Sequence, residues 1–138
     1  MTKLADEALT LARTFNEYAE ALRDRGRQQW RADAIDEDEY EQVKRTYEQL
    51  RGASRTLSAK ASTLAAGGMA SELARLKSAT GKLEAARGKL QKTADVVGVA
   101  AQLLGASVAV TAMIIAPSPA SVVAATVALE QTVKKLAR

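Results

Sequence analysis

The sequence predicts an all-α protein, and three observations support this fold class. Ala, Leu, Glu, Lys and Arg, which favour helices, dominate the 138 residues, and proline occurs only at Pro117 and Pro119. Apolar side chains recur at alternating three- and four-residue intervals, the spacing of one helix face. The segment from Val96 to Leu129 runs for 34 residues without a charged side chain. We therefore predict an antiparallel three-helix coiled-coil-like bundle whose long third helix extends into a C-terminal hydrophobic helical hairpin.

The first helix is predicted from a heptad seam near the N-terminus. Its apolar positions are Leu4, Ala8, Leu11, Phe15, Tyr18 and Leu22. Asp6 and Glu7 place negative charge at the positive end of the helix dipole. The polar run from Arg23 to Arg31 contains Gly26, so we expect the helix to fray or bend there. Trp30 in this run either closes the end of the bundle or anchors the chain at a membrane interface or a partner.

The second helix is predicted to begin near Asp36, because Asp33 and Asp36 are N-cap residue types and Glu37 starts an acidic first turn. Capping explains this carboxylate cluster without a metal or acid/base site. The seam continues through Tyr40, Val43, Tyr47, Leu50, Ser54, Leu57, Ala61 and Leu64. A basic face outside the seam, either solvated or directed at acidic lipid or nucleic acid, consists of Lys44, Arg45, Arg51, Arg55 and Lys60. Gly67 and Gly68 are expected to end the helix.

The third helix is predicted to run on one unbroken register from Met69 to Ile115, about 70 Å at 1.5 Å per residue. The uncharged segment is then the far half of a single helix that outgrows its two partners. A basic stripe off the seam is expected to face solvent and consists of Arg75, Lys82 and Lys89.

Pro117 and Pro119 are predicted to form the hairpin turn, since proline lacks the amide donor and disfavours helix geometry in the residue before it. Ser118 or Ser121 can cap a fourth helix that ends near Ala137.

The predicted organisation is an amphipathic stalk, residues 1–94, and a hydrophobic hairpin, residues 95–138. The acidic segment 33–41 would then lie near the hairpin turn. Residues 96–116 would form a helix about 31 Å long, close to the thickness of a bilayer, and small side chains four apart permit close helix packing in lipid or in a soluble core. The predicted membrane or helix-pairing residues are Gly98, Ala101, Gly105, Ala109, Ile114 and Ile115. The predicted interfacial cations are Lys92, Lys134, Lys135 and Arg138.

The composition argues against several classes of protein. The sequence has no cysteine and no histidine, which excludes disulfides, thiolate nucleophiles, histidine bases and the usual zinc ligands. We therefore expect no enzyme, no cofactor and no metal. Residues 1–40 hold 10 acidic and 6 basic side chains, so the charge is not the single-sign field of a nucleic-acid binder. The N-terminus has no apolar leader, which predicts synthesis in the cytosol and a non-Sec route for any export.

Two hypotheses for function follow. The leading one is a non-enzymatic membrane-active or membrane-anchored helical protein that oligomerises and inserts its apolar hairpin, a layout that resembles α-helical pore-forming proteins. The alternative is a soluble oligomerisation, scaffold or adaptor module whose apolar helices form a shared core. The expected partners are a second copy of the chain and a lipid membrane, or an accessory or chaperone protein that covers the hairpin. Nucleic acid is disfavoured.

Overall fold

The computed structural model describes residues 3–64 and 69–137, and the regular structure in this part of the chain is helical. Its five α-helices are α1 (Leu4–Arg31), α2 (Glu37–Lys60), α3 (Ala70–Leu90), α4 (Val96–Ile115) and α5 (Pro119–Ala137). A 3-10 turn, Ala61–Thr63, continues α2. The all-α fold class is therefore confirmed.

α1 and α2 form an antiparallel hairpin that packs along the two predicted seams. Every seam residue of α1 is buried, as is the seam of α2 from Tyr40 to Ala61. The hydroxyl of Ser54 donates a hydrogen bond to the carbonyl of Ala12 at 2.6 Å. Trp30 stacks on Tyr40 with ring centroids 4.5 Å apart, so the tryptophan closes the end of this hairpin.

The start of α2 is held by a reciprocal cap. The amide of Glu39 donates to the carboxylate of Asp36 at 2.8 Å, and the amide of Asp36 donates to the carboxylate of Glu39 at 3.0 Å. The capping role expected for Asp36 is confirmed. At the other end α2 gives way to the 3-10 turn after Lys60, and the predicted end at Gly67 and Gly68 lies outside the described residues.

The expectation that α1 frays at Gly26 is wrong. The helix continues to Arg31, and Gly26 is buried where α1 packs on α2. A β-carbon at this position would lie 2.8 Å from Cγ1 of Val43. Glycine therefore permits a close approach between two helices here and does not interrupt the first one.

The predicted continuous third helix is also wrong, since α3 ends at Leu90 and α4 begins at Val96. Hydrogen bonds from α1 hold the intervening turn. The guanidinium of Arg25 donates twice to the carbonyl of Thr93, at 3.0 and 2.7 Å. The side-chain amide of Gln29 donates to the same oxygen at 3.3 Å. The chain reverses here because side chains of α1 bind the backbone of the turn. The local sequence pattern gives no sign of that contact.

The five described helices pack as a ring in the order α1, α2, α4, α5, α3 and back to α1, and α1 also meets α4 across the centre. Side-chain hydrogen bonds between neighbours show that α1, α3 and α5 run in one direction and α2 and α4 in the other. A further buried bond joins α1 to α3: the hydroxyl of Tyr18 donates to the carbonyl of Leu83 at 2.5 Å. In this ring α4 lies between α2 and α5.

The predicted three-helix stalk with a projecting hairpin is not confirmed, because α4 and α5 are members of the ring. α4 runs parallel to α2, so the two helices end side by side, where Ile115 and Pro117 share a cavity with Lys60 and Leu64. The acidic segment 33–41 lies at the other end of α2. It is therefore far from the hairpin turn, contrary to the expectation from sequence.

We expect Gly26→Ala to destabilise the bundle, although alanine usually stabilises a helix interior relative to glycine. The added methyl group would overlap Val43, whose branched side chain must repack, at a cost of about 1–3 kcal/mol. Gly81→Ala is the matched control, because nothing lies within 4 Å of its β-carbon position, and it should stabilise by about 0.5–1 kcal/mol. Urea unfolding followed by circular dichroism measures both. Equal stability of the two variants would contradict the close approach at Gly26.

Candidate interaction surface on α4 and α5

α4 and α5 form an antiparallel hairpin with a cap at each helix start. The amide of Gly98 donates to the carboxylate of Asp95 at 3.0 Å and so begins α4. α5 begins behind a reciprocal pair, in which the Ser121 amide donates to the Ser118 hydroxyl at 3.1 Å and the Ser118 amide donates to the Ser121 hydroxyl at 2.9 Å. Lys135, near the end of α5, binds Asp95 at 2.7 Å and closes the open end of the hairpin.

The inner face of α4 belongs to the core of the bundle. Its buried residues are Val96, Val99, Ala100, Leu103, Ala106, Ser107, Val110, Met113 and Ile114. The hydroxyl of Ser107 donates to the carbonyl of Leu104 at 2.8 Å, so this buried polar group is satisfied within its own helix. One side of the uncharged segment is therefore covered by the protein itself.

The opposite face of α4 is apolar and exposed. Its residues recur at helical spacing and are Ala101, Leu104, Gly105, Val108, Ala112 and Ile115. Ile115 is 66% exposed, Val108 56% and Leu104 41%. A surface helix of a soluble domain usually carries polar and charged residues on this side. α4 has none, so it lacks the polar half of an amphipathic helix.

α5 extends this apolar surface up to its first charged residue, Glu130. The apolar residues on its side away from the core, exposed or half-buried, are Ala120, Val123, Ala124 and Val127. Because α4 and α5 are adjacent and antiparallel, the two sets lie side by side. Together these four residues and the six exposed residues of α4 are named the outer face.

A partly basic border runs along the α4 side of the outer face. Arg45 of α2 lines a cavity with Leu104, and Lys60, at the end of α2, lines one with Ile115. Arg45 and Lys60 are both exposed. Two members of the basic face predicted for α2 thus lie next to apolar residues of α4.

Cations of α3 lie beside the charged C-terminal part of α5. The stripe of Arg75, Lys82 and Lys89 is exposed on α3, as expected. The stripe lies next to α5, where Arg75 binds Glu130 at 2.7 Å. The sequence pattern did not predict that α5 is its neighbour. The seven-residue spacing indicated a shared helix face, but only the order of helices in the ring places that face beside α5. Cations therefore lie along the α2 side of the outer face and beside the charged end of α5.

The predicted helix-pairing residues fall on different sides of α4. Those on the outer face are Ala101, Gly105 and Ile115. Ala109 is half-buried against the core, and Ile114 is buried. Gly98 faces its own cap, since a β-carbon there would collide with the carboxylate of Asp95. The structure therefore does not bring these residues together as one pairing surface.

The predicted turn and cation residues mark opposite ends of the hairpin. Pro117 is exposed in the turn between α4 and α5, whereas Pro119, also exposed, is the first residue of α5. The other end carries Lys92, Lys134 and Lys135. Lys92 and Lys134 are exposed, whereas Lys135 is engaged with Asp95. Arg138 lies outside the described residues.

The buried carboxylate of Glu7 lies in α1, away from this surface. Burial raises its pKa, and the nearby Lys77 ammonium opposes the rise. Within residues 3–64 and 69–137, no group of three or more Asp or Glu side chains could hold a metal ion. Glu7 therefore affects stability. Because its pKa is raised in the folded protein, the free energy of unfolding falls as pH rises through that pKa.

Among the described helices, α4 is long and apolar enough to cross a bilayer, with a mean hydropathy of 1.9, and 44% of its most apolar window is buried in the bundle. A core helix of a soluble protein meets the same criterion, so length and hydropathy alone do not decide what covers it. Comparison with protein-family models, curated proteins and solved structures found no match to this chain. The function is therefore argued from the outer face and its borders.

We expect Asp95→Ala to destabilise the protein by about 1 kcal/mol at neutral pH through loss of the α4 cap. A hydrogen bond from Lys135, and a second from the Gly98 amide, lower the pKa of Asp95 below its ordinary 3.8. For a lowered carboxyl pKa, the stabilisation is fully present above that ordinary value and is lost as pH falls through the folded-state pKa. The difference between variant and parent should therefore shrink in acid.

Urea unfolding at neutral pH and at about pH 3 tests this. Glu20→Ala, which removes an exposed carboxylate from α1, is the control for net charge and should change stability by less than about 0.5 kcal/mol at either pH. A loss in Asp95→Ala that is the same at both values would contradict the role of the ionised carboxylate.

Proposed function

We propose that this chain is a non-enzymatic, membrane-active helical protein that binds lipid through the outer face, self-associates and inserts the α4–α5 hairpin. The observation that carries the proposal is the outer face itself, a continuous apolar surface on two neighbouring helices without a charged side chain. Exposed apolar surfaces of this kind in soluble proteins mark sites for protein or membrane partners.

The borders of the outer face favour lipid over a protein partner. Arg45 and Lys60 flank it on the α2 side, and Arg75 and Lys82 of α3 lie beside the part of α5 that follows it. An apolar surface edged with cations matches a bilayer, in which acyl chains lie below a layer of phosphate groups. The acidic segment 33–41 is at the opposite end of α2 from the hairpin turn, so it does not repel anionic lipid from that turn.

Insertion is the second step of the proposal. α4 has 20 residues, about 30 Å of helix, whereas α5 has only 10 uncharged residues between Pro119 and Glu130 and would enter part of the way. The hairpin would have to leave contacts with α1, α2 and α3, including the bonds of Arg25 to Thr93 and of Arg75 to Glu130. The membrane-bound form would then be a three-helix stalk, α1 to α3, that carries an extended apolar hairpin.

A soluble oligomerisation module is the second candidate, and Gly105 is the observation that favours it. Gly105 is exposed in the middle of α4, and nothing lies within 4 Å of its β-carbon position. A glycine in an exposed helix interior costs about 1 kcal/mol relative to alanine, so close approach by a helix of a second copy would explain it.

The first test is Val108→Asp, which places a charge at the centre of the outer face. A charged aspartate at the centre of a membrane helix costs about 2.5–3.5 kcal/mol, so co-sedimentation with vesicles should weaken at least about tenfold. Leu9→Asp is the matched control, because Leu9 is 52% exposed on α1 and Val108 is 56% exposed on α4. This control should co-sediment like the parent.

Light scattering after size exclusion, with and without vesicles, separates the two candidate functions. A parent that leaves solution with vesicles, together with a defective Val108→Asp, supports the membrane function. A discrete oligomer that ignores vesicles and that Val108→Asp dissociates supports the soluble module. Equal vesicle binding by Val108→Asp, Leu9→Asp and the parent would refute lipid contact at the outer face.

A single-tryptophan variant tests insertion itself. We expect Val123→Trp, in a Trp30→Phe background, to be quenched by lipids brominated along their acyl chains, because Val123 belongs to the outer face and is 38% exposed. Trp30 in the parent, stacked on Tyr40 at the α1–α2 turn, serves as the control and should stay unquenched. Quenching of neither tryptophan in vesicle-bound protein would mean that the hairpin stays outside the acyl layer.

A further inference from the structure

We infer that the groove between α3 and α5 is a binding site for the phosphate of anionic phospholipid headgroups, and that it orients the outer face on the membrane. The inference rests on the proposed membrane function and specifies the lipid class. The groove holds a cavity of about 350 Å³ lined by Arg75, Lys82, Glu130, Val133 and Lys134.

The charges in the groove leave two cations available for a ligand. Arg75 is held by Glu130 at 2.7 Å, which neutralises one cation and fixes its guanidinium beside the groove. Lys82 and Lys134 are exposed, and neither forms an ion pair with a carboxylate of the described residues. The two lysines come from different helices and line the same cavity, so a phosphate bound there would receive a donor from each.

The position of the groove selects a lipid phosphate. Val127 of the outer face precedes Glu130 by three residues, so it lies on the adjoining turn of α5. A ligand bound by Lys82 and Lys134 thus has an apolar surface immediately beside it. A phospholipid carries both a phosphate and acyl chains and can use both features, whereas free phosphate uses only the groove. The phosphates of nucleic acid would leave the apolar surface uncovered.

The test compares a double variant in the groove with a matched double variant elsewhere. Lys82→Gln/Lys134→Gln removes two groove cations. Arg27→Gln/Arg31→Gln removes two exposed cations from α1, which is not a neighbour of α5 in the ring. Affinity is measured by co-sedimentation with vesicles of phosphatidylcholine alone and with vesicles that also contain phosphatidylglycerol, after circular dichroism has shown that each variant is folded.

The parent should prefer the phosphatidylglycerol vesicles, and the groove variant should lose affinity for them by roughly fivefold for each cation removed. Its affinity for phosphatidylcholine vesicles should not change. The α1 variant should bind both vesicle types like the parent. The preference of the parent should also weaken as salt is raised, since both lysines are exposed.

Other outcomes overturn the inference in distinguishable ways. Equal binding of the parent to both vesicle types would leave the proposed membrane function intact and remove the headgroup site. Equal losses in the two double variants would mean that net charge acts without a site. Competition by inorganic phosphate at matched ionic strength, or tighter binding to a DNA duplex than to vesicles, would assign the groove to those ligands. No binding to either vesicle type would remove the proposed function itself.

Discussion

The turn at Thr93 determines where the uncharged segment goes. Its carbonyl is held by Arg25 and Gln29 of α1, and the adjoining Asp95 both caps α4 and binds Lys135. With the turn in place, α4 returns alongside α2 and meets α1 across the ring. If α3 continued straight into α4, the apolar inner face of α4 would leave the core. A few polar contacts at the end of the bundle thus control how much apolar surface the whole chain buries.

Local sequence was sufficient for the elements that depend on local patterns. The seams of α1 and α2, the cap at Asp36 and the helix end before Pro117 follow from spacing or from residue types a few positions apart. The turn at Thr93 is different. Residues 91–95 contain neither proline nor glycine, the apolar register passes through them unchanged, and Arg25 lies 68 residues away. A contact at that separation leaves no periodic signal.

The candidate surface was predictable only in part, for a related reason. A run of 34 uncharged residues indicates that apolar surface must be covered, but not which residues face outward. Ile114 and Ile115 are adjacent and chemically identical, yet one is 3% exposed and the other 66%. A segment without a polar face has no amphipathic pattern to orient it, so its packed neighbours decide. For the same reason, the position of Lys82 beside α5 could not be predicted from the sequence.

Three buried hydroxyl groups of the hairpin are compatible with both the bundle and the proposed membrane form. Ser107, Thr126 and Thr132 are buried, and each donates to a carbonyl of its own helix, at 2.8, 2.8 and 2.9 Å. These bonds need no partner outside the helix and persist when lipid replaces protein. The hydroxyl of Ser54, by contrast, depends on the carbonyl of Ala12 in another helix. Separating α1 from α2 would leave that buried group unsatisfied, whereas release of the hairpin breaks the less buried contacts of Arg25 with Thr93 and of Arg75 with Glu130.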